Sequence, residues 1–313
     1  MTLGGPETRG LLPKVSVVVP TRARGELLRN CIRSLLAQDY PRDRFDIIVV
    51  EDGTNEGEKV VSEITTTSTV SLSYVRIPHS GLAVARNVGI EKSAGQIVAY
   101  IDDDAMAVAC WLRRLVEALR VEGCGGAGGR VSPDYPDDSL VSEVAVDGQM
   151  KSSGNSSSLP GIHEVAFVPG GNMAFWRASL TDVSGFDGAY TKRGCWREET
   201  DLCVRLRSRG YRIFYTSAAQ VAHRAARWEN PLERINPSRI SGMIEDDAYF
   251  RVKNFGWAGL GGTLRNAIWE ATMRLKLSAV HLLLAFVHLV AWVPGAVRGL
   301  ARKDRQLGTL TTE

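Results

Sequence analysis

The chain is 313 residues long, 44% hydrophobic and 23% charged, which permits one large domain or a domain of ~200 residues with an appendage. A formal net charge of +3 is too mild to argue for a nucleic-acid partner. The five cysteines, Cys31, Cys110, Cys124, Cys195 and Cys203, have neither zinc-finger nor C-x-x-C spacing, and their scatter favours reduced thiols in a cytosolic compartment.

The first hundred residues alternate strand and helix. Val15 to Val19 is apolar and β-branched, as in a strand buried on both faces, and reads better so than as a signal peptide because no small-residue cleavage site follows. Leu27, Leu28, Cys31, Ile32, Leu35 and Leu36 line one face of a helix. Further strands are expected at Ile47–Val50, Tyr74–Ile77 and Ile97–Ile101, and further helices at Leu82–Ile90 and Trp111–Leu119. Such alternation implies a mostly parallel sheet with helices on both faces. Gly123 to Gly129 is glycine-dense, and the polar run from Ser132 to Pro160 reads as a loop. Order is expected to return at Val165, with another strand at Arg212–Tyr215.

Beyond about Trp228 the pattern turns mainly helical, so residues 1–226 are expected to form the α/β domain and 227–313 a helical C-terminal extension. From Leu277 to Val297 no Asp, Glu, Lys or Arg occurs, about the length that crosses a bilayer core. His281, His288 and Pro294 interrupt it, and basic residues on both sides leave its orientation open. A buried amphipathic helix competes with a membrane segment. Arg298, Arg302, Lys303 and Arg305 suit an anionic membrane surface.

In open α/β sheets, ligands bind at the carboxyl ends of the strands. The four expected strands are followed by Pro20-Thr21, Glu51-Asp52-Gly53, Pro78-His79-Ser80-Gly81 and Asp102-Asp103-Asp104. Two of these ends carry acids that would face one cleft. Carboxylates clustered at the end of a buried strand need cations, and a divalent metal is the simplest. Oxygen ligands suit Mg²⁺ or Mn²⁺ bridging a diphosphate. A solvated acidic turn is the bland alternative.

The stretches Val-Ser-Val-Val-Val-Pro-Thr at 15–21, Ile-Val-Val-Glu-Asp-Gly-Thr at 48–54, Gly-Leu-Ala-Val-Ala-Arg-Asn-Val-Gly at 81–89 and Ile-Asp-Asp-Asp at 101–104 resemble the family-two glycosyltransferases. So do Pro-Gly-Gly-Asn-Met-Ala at 169–174 and Glu-Glu-Thr-Asp-Leu-Cys-Val-Arg-Leu at 198–206. The likeness spans roughly residues 13 to 225 and keeps the family's motif order. It implies the GT-A fold, inverting chemistry and a nucleotide-diphosphate sugar donor, UDP- or dTDP-activated.

By that resemblance, Pro20, Thr21 and Asp52 would sit at the base and ribose, and Arg86 and Asn87 would bind the donor. Asp104 matches the metal-binding position, with Asp102 supporting ribose or metal and Asp103 the least defined of the three. Gly171 and Asn172 would line donor sugar and acceptor, and His223 would approach metal or diphosphate. The family usually carries Glu-Asp with the Asp as base; here Glu198-Glu199 stands there, so Glu199 is expected as base ahead of Glu198. Acids also favour the first turn of a helix, which is the competing reading of the pair. Glu51 reads as a solvated turn residue, and Trp196 as a sugar-stacking or a core residue.

A dinucleotide-binding oxidoreductase is disfavoured because Pro20-Thr21-Arg22-Ala23-Arg24-Gly25 is not G-x-G-x-x-G. A sugar-nucleotide pyrophosphorylase gains faint support from Arg22 and Arg24, and a non-catalytic membrane-bound sugar-binding module is a further alternative. The expected acceptor is a hydroxyl on a lipid-linked glycan or small molecule, in cell-envelope glycan, glycolipid or secondary-metabolite synthesis. The expected location is cytoplasmic, at the inner membrane face.

Overall fold

A computed structural model describes residues 12–132, 139–144, 150–155, 160–190, 195–223, 236–274 and 292–302. Its parallel half is built from β1 (Val15–Thr21), β2 (Phe45–Asp52), β3 (Ser71–Ile77) and β4 (Ile97–Ile101), in the order β3-β2-β1-β4. The helices between them are α1 (Gly25–Leu36), α2 (Glu56–Thr65) and α3 (Leu82–Lys92). β1 lies between β2 and β4, with Val17 opposite Ile47 on one side and Ala99 on the other. That central place is why all seven of its residues are buried.

Alternation along β1 splits the core into two layers. Val15, Val17 and Val19 pack with Leu28, Ile32 and Leu35 of α1 and with Trp111 and Leu115 of α4 (Trp111–Leu119). Val18 faces the other way, toward Ala83 and Ala85 of α3, and shares its layer with Leu202 and Leu206 of α6 (Glu198–Ser208).

The sheet continues from β4 through β10 (Asn172–Trp176), antiparallel to it, then β6 (Cys124–Ser132) and β11 (Arg212–His223). Short β5 (Ala105–Ala107) and β9 (Ile162–Val165) both pair antiparallel with β11, and α5 (Arg177–Asp182) follows β10. The glycine-dense run is therefore strand β6. A side chain at Gly129 would bring its Cβ within 1.8 Å of the Ala219 carbonyl, so the close approach of β11 excludes any larger residue.

The run from Ser132 to Pro160, expected to be a loop, contains an antiparallel pair, β7 (Ser139–Val144) and β8 (Met150–Asn155). Backbone pairing holds these strands, and the serine-rich composition gives no alternating pattern to announce it.

The C-terminal part is helical as expected. α7 (Pro237–Arg274) breaks at Gly256, whose φ of 60° and ψ of −131° interrupt the helix. Tyr249 and Phe250 of α7 pack with Tyr190, and Lys253 reaches Asp187 and Asp201. A last helix, α8 (292–302), lies against α7. Of the apolar segment 277–297, residues 277–291 lie outside the described residues. Among the described residues, no helix is long and apolar enough to cross a membrane.

Candidate active site

The acid run leaves β4 in a tight turn, closed by the Ala105 amide donating to the Asp102 carbonyl at 3.1 Å. The chain then enters β5, where Ala105 pairs with His223 at the end of β11. That register brings a residue 119 positions after Asp104 to its side: His223 Nε2 lies 3.0 Å from Asp104 Oδ1 and 3.8 Å from Asp102 Oδ2. One ligand atom from each of Asp102, Asp104 and His223 falls within 4.8 Å of the others.

Two oxygens and one imidazole nitrogen in that compass are a donor set that fits Mg²⁺ or Mn²⁺. Burial alone would lower the His223 pKa, but the carboxylates of Asp102 and Asp104 beside it push it up to about 10. The two carboxylates thus hold a positive charge between them even in a metal-free chain. Gly171 keeps the space for this arrangement: a Cβ there would lie 2.6 Å from Asp102 Oδ2.

Asp103 turns toward β1 and α1. It accepts from Thr21 Oγ1 at 2.7 Å and from Arg24 Nη1 at 2.9 Å. The same Nη1 reaches Asp104 Oδ2 at 2.6 Å. Burial raises the Asp103 carboxyl to about 6 despite Arg24 and Thr21. Arg24 is the residue the sequence reading missed. A buried acid run demands a counter-cation, and the only cations between β1 and α1 are Arg22 and Arg24. In the structure Arg24 serves the acid run and Arg22 meets His79 at 3.3 Å.

At the end of β2, Asp52 accepts from the amides of Ser80 at 2.5 Å and Gly81 at 3.1 Å, and lies 2.7 Å from His79 Nδ1. It thereby ties the β3–α3 connection to the cleft. Glu51 is a correction. It is fully buried, not solvated, and accepts from Thr54 Oγ1, from Tyr74 OH at 2.7 Å and from the amides of Glu56 and Gly57 at 3.0 and 2.9 Å. An acid bonded to those amides stabilises the N-terminus of α2.

Arg86 is almost fully buried. It donates to Glu198 at 2.7 Å and to the Gly170 carbonyl at 3.0 Å, and stands 3.8 Å from Asp102. It therefore links the acid run to the acidic start of α6. Burial, then the charge of Glu199, pushes the Glu198 carboxyl up to about 8 against the pull of Arg86. Glu199 is only partly buried and accepts from Thr200 Oγ1 at 3.3 Å. Arg197, just before the pair, has a left-handed φ of 77°, a strained conformation for a residue with a side chain.

Three expected donor-site residues have their side chains committed elsewhere. Asn87 donates to the Phe186 carbonyl and accepts from the Phe186 amide, both at 2.8 Å. Asn172 is fully buried, accepts from Trp111 Nε1 at 2.8 Å and donates to the carbonyls of Arg130 and Ala219 at 2.9 and 2.8 Å. Pro20 is buried within β1 opposite Val50. Trp196 is 38% exposed, with the Arg197 guanidinium 5.4 Å from its ring centre. All five cysteines are free thiols.

A parallel half joined through an antiparallel strand to a second half, with an acid run at the junction, defines the GT-A class of fold. The profile described as Glycosyl transferase family 2 matches residues 16–182, more than half of the chain, and the chain belongs to that family. It is similar to the glucosyl-dolichyl phosphate glucuronosyltransferase of Haloferax volcanii, 30% identical over 221 residues, 67% of this chain and 69% of that one. Glycosyltransferase AglE of the same organism is 32% identical over 133 residues, 42% of this chain but only 44% of that relative's length. Among solved structures, the mannosyltransferase PcManGT from Pyrobaculum calidifontis, in complex with GDP-Man and Mn²⁺, superposes with a TM-score of 0.57 at 18% identity, covering 93% of this chain and 88% of that one.

Proposed function

We propose that this glycosyltransferase moves a sugar from a nucleotide-diphosphate donor, UDP-sugars first among them, to an acceptor hydroxyl with inversion at the anomeric carbon. The observation that carries the reading is the Asp102–Asp104–His223 cluster, joined through Arg86 to the Glu198–Glu199 pair. Mg²⁺ or Mn²⁺ held by those three residues would offset the charge of the departing diphosphate, so no protonating acid is needed there.

Glu199 is the proposed base. Glu198 is occupied by Arg86, whereas Glu199 is the partly exposed carboxylate of the pair. It takes the proton from the acceptor hydroxyl as the oxygen attacks the anomeric carbon. Asp52 and Thr21 are the proposed nucleoside-side residues. The named substrate of the Haloferax relative is a dolichyl phosphate-linked sugar, which supports a lipid-linked acceptor here. Segment 277–297 would then hold the chain at the cytoplasmic membrane face.

The test is a panel of UDP-, dTDP- and GDP-sugars with Mn²⁺, read by nucleotide release with and without membrane extract. Metal-dependent release from at least one donor is expected. No release from any donor would sink the reading.

A further inference from the structure

The turn that presents Glu198 and Glu199 is held from outside the sheet domain. Cys195 and Arg197 both have positive φ, 42° and 77°. Such backbone persists only where surrounding structure over-determines it. The holding groups come from α7. Asp246, fully buried, accepts from the Trp196 amide at 3.2 Å. Asp247 accepts from Arg197 Nε at 2.9 Å and from Arg251 Nε at 2.7 Å. Phe250 lies under the Arg197 guanidinium, 5.9 Å from ring centre to Cζ. One turn into α6, Lys253 of α7 donates to Asp201 at 2.7 and 2.9 Å, and Asn254 to the same carboxylate at 2.9 Å. The Asp201 amide in turn donates to the Arg197 carbonyl at 2.8 Å, closing the first turn of α6.

These contacts converge on two consecutive turn residues, Trp196 and Arg197, and on the helix start behind them. The family match ends at residue 182, before both α6 and α7. We infer that Asp246 and Asp247 are positioning residues: gripping the 195–197 turn from α7, they set where the Glu199 carboxylate stands, so the C-terminal extension completes the active site. The inference rests on the reading of Glu199 as base.

A base misplaced by about 1 Å by a change away from the chemistry loses about 100-fold in rate. Substituting Asp247 therefore acts on kcat and spares donor binding. The proposed donor and metal groups lie at the ends of β1, β2, β4 and β11, and the α7 bonds named above reach none of them.

The test uses the full chain with Asp247→Asn, Asp247→Glu, Arg197→Lys, Glu199→Gln and the Asp247→Asn/Glu199→Gln pair. Three quantities are read: amide hydrogen exchange over 195–201, UDP affinity in Mn²⁺, and kcat with the panel sugar nucleotide that the unaltered chain turns over fastest. Asp247→Asn is expected to speed exchange over 195–201 and cut kcat about 10- to 100-fold, with UDP affinity and donor KM unchanged within about twofold. Arg197→Lys, which keeps the charge but loses the Nε donor, should do the same more weakly, and Asp247→Glu should recover part of the loss. The pair should be no slower than Glu199→Gln alone, since both act on one proton transfer.

Unchanged exchange over 195–201, or a loss of kcat that adds in full to that of Glu199→Gln, overturns the inference. If Glu199→Gln itself keeps full turnover, the reading of the base has failed, a result separable from failure of the α7 grip alone.

Discussion

Arg86 donates to Glu198 at 2.7 Å, and both side chains are almost entirely excluded from water. This pairing divides two adjacent, chemically identical residues into different roles. Glu199→Gln is expected to leave UDP binding in Mn²⁺ unchanged while transfer falls about 100- to 10,000-fold. Glu198→Gln keeps an oxygen for Arg86 and should retain most of the transfer. Glu198→Ala strands a buried guanidinium and should cost about 3–5 kcal/mol of stability. Calorimetric binding, transfer rates and thermal unfolding separate the three. Loss of transfer in Glu198→Gln with full activity in Glu199→Gln would reverse the assignment.

Asp104→Ala removes the most buried carboxylate of the cluster that contains His223. Mn²⁺-dependent UDP binding, measured by titration calorimetry, should disappear, while unfolding of the metal-free chain stays cooperative. An unaltered UDP affinity in Mn²⁺ would count against the metal role of Asp104.

Arg24 pairs with Asp103 and with the Asp104 oxygen that His223 does not approach. A cation bound by the folded chain adds stability that grows with the logarithm of its affinity for that state. Arg24→Met should therefore lower the melting temperature in chelator and enlarge the rise that Mn²⁺ produces, because the ion then meets uncompensated charge. An Mn²⁺ increment equal to that of the unaltered chain would refute this.

Lys253 holds α7 to the sheet domain through Asp187 and Asp201. Burial raises both carboxyls, yet Lys253, joined by Tyr249 at Asp187 and by Arg205 and Asn254 at Asp201, outweighs it and leaves them below the usual carboxylate range. A depressed folded pKa contributes stability that is fully present above the unfolded value near 4 and is lost as pH falls through the folded value. Lys253→Met lets both carboxyls rise, so acid unfolding should begin at a higher pH. Circular dichroism across pH 2–6 checks the direction; an unmoved acid midpoint would mean the pair contributes nothing to the docking of α7.

Much of the fold was legible along the chain because its strong signals are local. The β-branched run Val15–Val19 and the α1 stripe became β1 and α1, and helix Trp111–Leu119 was read with its observed bounds. The 123–129 glycine run hid strand β6, because glycine has no side chain with which to signal burial, and its reason lies in β11 pressed against it. The Ser132–Pro160 stretch hid β7 and β8 for want of apolar alternation.

What the order of residues determined by itself is the parallel sheet, the family and the acids at the strand ends, since each depends on contiguous residues or period-two alternation. Only the tertiary structure decided which partners those acids take. The β5–β11 register delivers His223 to Asp104, the start of α1 delivers Arg24 to Asp103 and Asp104, and α3 delivers Arg86 to Glu198. Charges in a buried cleft must be compensated, but the chain can supply each counter-charge from any distant position that folding brings close.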